Sequence, residues 1–125
     1  MTSSVRPRVL IADDYPDMVT AVSRMLALDC DIVGSAGDCS AVVEAAHRLR
    51  PDVIVLDVNL QRVRSVEACR EITRAYPQMK VIVFTVMDDP TISKAFVEAG
   101  AHAFLLKVAS ADLLATIKRL CADQG

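Results

Sequence analysis

Pro51-Asp52-Val53-Ile54-Val55-Leu56-Asp57 is the stretch on which the fold turns. Four apolar residues, three of them β-branched, stand between a Pro-Asp pair and a second aspartate. A run that short and that branched suits a strand better than a helix. Because it is continuous rather than alternating, it suits a central parallel strand covered on both faces. Three further runs have the same build: Val9-Leu10-Ile11-Ala12, Val81-Ile82-Val83-Phe84 and Ala103-Phe104-Leu105-Leu106. An acidic or reactive residue closes each. Asp13 and Asp14 follow the first, Asp57 the central run, Thr85 the third and Lys107 the fourth.

Helical patterns fill the intervals. Pro16 suits a first helical turn, and Met18, Val22, Met25 and Leu26 recur at helical spacing. Asp31 to Ala36 reads as another, shorter strand ended by Gly37. Ala41 to Leu49 reads as a helix stopped by Pro51, since the residue before proline disfavours helical geometry. Val66 to Ala75 reads as a third helix, with Ser65 as N-cap and Glu67 favourable to the dipole. A fourth begins near Pro90-Thr91 and ends before Gly100, a C′ residue. The last carries Leu113, Leu114, Ile117, Leu120 and Cys121 along one face. Five βα units with short loops predict a doubly wound parallel α/β sheet with right-handed crossovers.

Composition agrees with one domain over residues 1–125. The chain has 53% hydrophobic residues but only five aromatics, which implies a core of Val, Ile, Leu, Ala and Met. No repeat, low-complexity segment or linker interrupts it, and no room is left for a second, output domain. The net charge of -2 gives no broad electrostatic footprint for nucleic acid. Met1 to Pro7 lacks the apolar core of a signal peptide, and no apolar run approaches the ~20 residues of a membrane helix. A soluble cytoplasmic domain without membrane contact is expected. Cys30, Cys39, Cys69 and Cys121 show no CxxC pairing and no zinc spacing, so they read as buried or half-buried thiols. His47 and His102 read as surface residues.

Parallel strands share their carboxyl edge, and open α/β sheets bind ligands there, where strand order reverses. Three carboxylates, a hydroxyl and an ammonium then converge on one shallow site. The carboxylates repel one another unless neutralised. All-oxygen acidic ligands suit a hard cation such as Mg²⁺, which characteristically keeps waters and shares a substrate phosphate. Such a site is built for a divalent cation and a phosphoryl group. Each residue alone has a plainer reading: Asp13-Asp14 as a loop and helix start, Asp57 as a turn, Thr85 as a strand residue and Lys107 as a surface charge. Four such coincidences at one sheet edge favour the joint reading.

Val9-Leu10-Ile11-Ala12-Asp13-Asp14, residues 51–57, Val81 to Thr85 and Ala99-Gly100-Ala101-His102-Ala103-Phe104-Leu105-Leu106-Lys107 together resemble the receiver domain of two-component response regulators. The last stretch is most similar to the NarL/FixJ branch, whose regulators usually carry a C-terminal helix-turn-helix domain. The resemblance implies a flavodoxin-like, CheY-like (βα)5 sheet of order 2-1-3-4-5 and a phosphoacceptor role for Asp57. It implies Mg²⁺ bound by Asp14 and Asp57, by Asp13 through a water, and by the backbone carbonyl of Asn59. Lys107 would pair with the acceptor and then with the phosphoryl oxygens, and Thr85 would donate to one of them. Phe104 takes the aromatic switch position, where a plain core aromatic is the competing reading. The implied partners are a histidine kinase or phosphotransfer protein, and a second copy of the domain on activation. A DNA-binding output domain would lie elsewhere in a longer native chain. Catalysis would be confined to self-phosphorylation and autodephosphorylation.

The chain departs from the family at three places. Leu60-Gln61-Arg62-Val63-Arg64-Ser65 lacks the usual proline and glycine, which removes a fixed φ and a permissive one. Val86 stands where a small residue is usual and would, with Met87, tune access to the acceptor. Val108 replaces a proline common after the lysine, though often missing in this branch. These departures keep open a receiver that acts as a phosphorylation-independent binding module. An aspartyl-phosphate phosphohydrolase is the rival from another class. Asp57-Val58-Asn59 lacks its general acid, since Asn59 cannot protonate a leaving group.

Overall fold

A computed structural model describes residues 6–58, 62–86 and 88–122. Five strands, β1 (Arg8–Ala12), β2 (Asp31–Ala36), β3 (Val53–Leu56), β4 (Lys80–Thr85) and β5 (Ala103–Leu106), alternate with five helices. These are α1 (Pro16–Leu26), α2 (Cys39–Leu49), α3 (Arg62–Ala75), α4 (Pro90–Glu98) and α5 (Ala111–Ala122). All pairings are parallel and the order is β2-β1-β3-β4-β5, as expected.

Alternation along the strands divides the core in two. Leu10, Ala12, Ile54, Leu56, Val81 and Val83 face α2, α3 and α4, where Val42, Ala46, Ile72 and Phe96 meet them. Val9, Ile11, Val53, Val55, Ile82 and Phe84 face α1 and α5, where Val22, Leu26, Leu113 and Ile117 meet them. Both faces of β3 are therefore covered, which is why its run is apolar throughout. On the edge strand β5 all four residues stay half-buried.

Local chemistry sets the helix ends. Pro16 and Pro90 occupy first-turn positions, and Asp38 and Asp89 cap α2 and α4 by accepting backbone N–H bonds. The Arg6 guanidinium covers the end of α1, donating to the carbonyls of Ala27, Leu28 and Cys30 and to Asp31. Gly100, at φ +101°, follows α4 in a Schellman arrangement. Its N–H donates to Val97 and that of Ala101 to Phe96.

Several expectations require correction. Helix α3 begins at Arg62, so Ser65 is no N-cap. It lies fully buried inside the helix, with its hydroxyl 3.6 Å from Sγ of Cys39. Glu67 accordingly falls outside the first turn. Strand β2 has six residues and is not a short one. His102 is not a surface residue either. Half-buried, it accepts the Val81 N–H at Nδ1, and burial, with Lys80 nearby, holds its pKa below the ordinary value. His47 is exposed and meets the Tyr76 hydroxyl at 2.6 Å. The cysteines are as expected: Cys30, Cys39 and Cys69 buried, Cys121 half-buried, none in a disulfide. Burial pushes the Cys69 thiol up to about 11. Among the described residues no helix is long and apolar enough to cross a membrane.

Candidate functional site

Register builds the site. Strands β1 and β3 are paired with Ala12 opposite Leu56, so the next residues, Asp13 and Asp57, emerge side by side. The ladder runs one step further on each strand. The Asp57 N–H donates to the Ala12 carbonyl at 2.9 Å, and that of Asp13 to the Ala36 carbonyl at 3.0 Å. This is the point where strand order reverses, since β2 lies on one side of β1 and β3 on the other. Across the sheet Thr85 pairs with Leu106, which brings Lys107 to the same edge.

Asp13 and Asp57 are buried, Asp14 is exposed, and one carboxylate oxygen from each lies within 4.8 Å of the others. The ammonium of Lys107 reaches into this cluster with only 11% of its side chain exposed. It stands 3.2 Å from Oδ2 of Asp13 and 3.6 Å from Oδ2 of Asp57. The ring of Phe84 lies beneath it, 6.0 Å from the ammonium to the centroid. The other oxygen of Asp13 is also engaged, because Oδ1 accepts the Tyr15 N–H at 3.0 Å. That bond folds the loop into α1 as an Asx-turn.

The remaining expected residues fall around this cluster. Thr85 ends β4, fully buried. Val86 follows it in the chain with 61% of its surface exposed. Phe104 is half-buried against the α2–α3–α4 side of the core, the side that Val83 also faces. Asn59 and Met87 lie outside the described residues. Arg64 is exposed on α3 and lines the groove between α2 and α3 together with Glu44 and Glu67.

Two features escaped the sequence reading. Beyond the expected pair of Lys107 with the acceptor, present at 3.6 Å, it did not anticipate the shorter contact of the ammonium to Asp13 at 3.2 Å. It also made no use of Phe84 except as core. Asp13-Asp14-Tyr15-Pro16 did carry a signal for the Asx-turn, since an aspartate commonly bonds the backbone two residues on. Concavities also lie elsewhere on the surface. One of about 530 Å³, between Arg6, Leu28, Lys118 and Cys121, brings together no comparable set of acids.

The chemistry of the set is restricted. Among the described residues three carboxylates stand against one ammonium, a surplus of two negative charges, and every clustered ligand atom is oxygen. A hard divalent cation fits that donor set and that charge. Thiols and imidazoles are not among the clustered ligands, so soft-metal chemistry has no seat here.

Comparison with known proteins shows the family. The sequence model of the response regulator receiver domain matches residues 9–118. The chain is 32% identical over 120 residues to the transcriptional regulatory protein DegU of Brevibacillus brevis, covering 94% of this chain and 51% of that protein. It is 33% identical over 109 residues to the nitrate/nitrite response regulator protein NarP of Escherichia coli, covering 86% and 51%. The chain spans about half the length of the curated relatives it matches. Among solved structures, the signal receiver domain of a Mycobacterium tuberculosis NarL response regulator superposes with a TM-score of 0.74 at 30% identity, covering 82% of this chain and 84% of that one. A LuxR-family two-component response regulator from an Aurantimonas species superposes at 0.88 over 95% of this chain and 87% of that one. At 23% identity that likeness speaks for the fold alone.

Proposed function

Because the chain belongs to the response regulator receiver domain family of two-component systems, we propose that it takes up a phosphoryl group on Asp57 from the phosphohistidine of a histidine kinase or phosphotransfer protein. One observation carries the reading: a buried carboxylate, Asp57, has the Lys107 ammonium at 3.6 Å and two further carboxylates at its side. Asp14 and Asp57 would hold Mg²⁺, with Asp13 acting through a bound water. When bound, the cation would supply charge neutralisation to the phosphoryl oxygens.

The rest is positioning and electrostatics, as phosphoryl transfer requires. An Asp57 oxygen forms the new bond to phosphorus while the bond to the donor nitrogen breaks, and the imidazole leaves with that electron pair. Lys107 pairs with the phosphoryl oxygens, and the Thr85 hydroxyl donates to one of them. Water later attacks the acyl phosphate and returns Asp57 to its carboxylate, so turnover is confined to the domain's own phosphate. The face of α4, β5 and α5 then presents an altered surface to a second copy or to an output domain. The longer relatives include a transcriptional regulatory protein, so transcriptional output is the reading for a longer chain, with a cytoplasmic setting.

The test is phosphate uptake from acetyl phosphate with and without Mg²⁺, followed by intact-mass spectrometry. Uptake should need Mg²⁺ and disappear in Asp57→Asn, which keeps the shape but removes the nucleophilic charge. Equal uptake in Asp57→Asn would place the acceptor elsewhere. No uptake by the wild-type chain from acetyl phosphate or a phosphohistidine donor would leave a phosphorylation-independent binding module.

A further inference from the structure

We infer that Cys30 and Cys121 are a peroxide-sensitive thiol pair, which closes to a disulfide tying the end of α5 to the turn between α1 and β2. The sheet divides the four cysteines by face. Cys39 and Cys69 lie buried on the α2–α3–α4 side. Cys30 and Cys121 lie on the α1–α5 side, where Cys121 packs against the cluster that holds Cys30. Polar contacts bracket the pair. The Lys118 ammonium meets Oδ1 of Asp29 at 3.3 Å, and Asp29 adjoins Cys30 in the chain. Cys121 follows Lys118 by three residues on α5, which puts the two on one face of the helix. Arg6 donates to the Cys30 carbonyl at 2.8 Å, and with Cys121 it lines the concavity of about 530 Å³.

Access makes the two thiols unequal. Cys121 is half-buried and opens on that concavity, whereas Cys30 is buried. Burial, and after it the charges of Asp52 and Cys30, raises the Cys121 thiol, while burial and then Asp29 raise that of Cys30. Both therefore rest as protonated thiols, and an oxidant has to start the reaction. Hydrogen peroxide reaches Cys121 first. The Cys121 sulfur takes one peroxide oxygen as the O–O bond breaks, giving a sulfenic acid and one water. The Cys30 sulfur, on losing its proton, then attacks Sγ of Cys121. The S–O bond breaks, and the oxygen leaves with that proton as a second water. Two thiols and one peroxide thus become one disulfide and two waters. A bridge needs Cα atoms within about 7 Å of one another. The last turn of α5 supplies the adjustment, because Cys121 is next to its final residue, where backbone carbonyls have no helical partner.

Treatment of the folded chain with hydrogen peroxide, followed by non-reducing peptide mapping, tests the pair. One intramolecular bridge should form, joining the peptides of Cys30 and Cys121 with a loss of about 2 Da, and a dithiol should reverse it. The bridge closes a loop of most of the chain, so Tm should rise by roughly 5–10 °C. Cys121→Ser should form no bridge and show no such rise. Cys30→Ala should leave Cys121 without a resolving thiol, so that it advances to the sulfinic acid. Cys39→Ala should bridge as the wild type does. Sulfinic acid at Cys121 of the wild type, with Cys30 still a free thiol, would overturn the inference. So would four free thiols after treatment, a bridge between two chains, a bridge that includes Cys39 or Cys69, or a bridge that lowers Tm.

Discussion

Val81 and His102 exchange two bonds at the foot of β4 and β5. The Val81 N–H donates to Nδ1 of His102 at 3.1 Å, and the His102 backbone N–H donates to the Val81 carbonyl at 2.8 Å. Val81 is fully buried, so its N–H has no recourse to water if the imidazole turns away. A proton on Nδ1 would set donor against donor. Burial and then Lys80 lower the His102 pKa from 6.5, so the folded state binds fewer protons than the unfolded one. The contribution is complete above pH 6.5 and is lost as pH falls below it toward the depressed folded value. His102→Asn keeps an acceptor without a titrating ring. Urea midpoints of wild type and variant should therefore converge between pH 7 and pH 5, whereas parallel curves would show that the ring does not titrate against Val81.

Among the described residues, Gly100 is the glycine whose freedom is demanded twice. Its φ of +101° is costly for any residue with a β-carbon, and such a carbon would stand 2.6 Å from Oγ1 of Thr73. Thr73 cannot easily yield, since that oxygen donates to the Ala99 carbonyl at 2.8 Å and ties the end of α4 to α3. Gly100→Ala should cost about 2 kcal/mol or more in equilibrium denaturation. A loss under about 0.5 kcal/mol would mean that the end of α4 relaxes at little cost.

The inner strands were legible because they are covered on both faces. Val53 to Leu56 and Val81 to Phe84 need no polar face, and each ends on the residue that the site uses. The helix starts marked by proline, Pro16 and Pro90, were legible for the same local reason. Helix α3 was not, because Arg62-Val63-Arg64 carries neither proline nor a capping side chain. Ser65 looked like a cap only while the depth of its burial was unknown. Site membership was readable as residue type at a strand end. Which carboxylate Lys107 favours was not, because a preference between Asp13 and Asp57 depends on a few tenths of an ångström across three strands.

Mg²⁺ should stabilise the fold by relieving repulsion among Asp13, Asp14 and Asp57. At ten times its dissociation constant the gain is about 1.4 kcal/mol. In a domain of this size that is a rise of roughly 3–6 °C in Tm. Asp14→Ala should melt at a temperature indifferent to millimolar Mg²⁺. An equal rise in Asp14→Ala would place the cation elsewhere.

Val86, the residue after Thr85, is branched where the family usually has a small one, and would stand in the approach to Asp57. The phosphodonor and the hydrolytic water share that approach, so Val86→Ala should speed phosphorylation and autodephosphorylation together. Obstruction of an in-line approach can cost ~10²-fold. With 61% of its surface exposed, Val86 can swing aside, and an increase of about 3- to 10-fold is expected for it. Stopped-flow phosphorylation and loss of acyl phosphate measure the two rates, and no change in either would assign access to another residue.

Thr85 and Phe104 would supply the route by which the site reaches a partner. The pairing of Val83 with Phe104 and of Thr85 with Leu106 sets all four on neighbouring positions of β4 and β5. Val83 and Phe104 share the α2–α3–α4 face, and alternation along β4 returns Thr85 to that face two residues after Val83. Drawing the Thr85 hydroxyl toward a phosphoryl oxygen would vacate volume beside Phe104, which is only half-buried and so has room to turn inward. The resulting change is a choice between two packings, with a bias on the order of 1–3 kcal/mol. Beryllofluoride with Mg²⁺ should shift NMR signals from Thr85 through Leu106 in the wild type and far less in Thr85→Ala. Phe104→Leu should keep the shifts at Asp57 and Thr85 but lose those along α4 and β5, because a smaller side chain fills the vacated space without a change of state. Shifts confined to Asp13, Asp14 and Asp57 would mean that the phosphoryl analogue binds and nothing is transmitted.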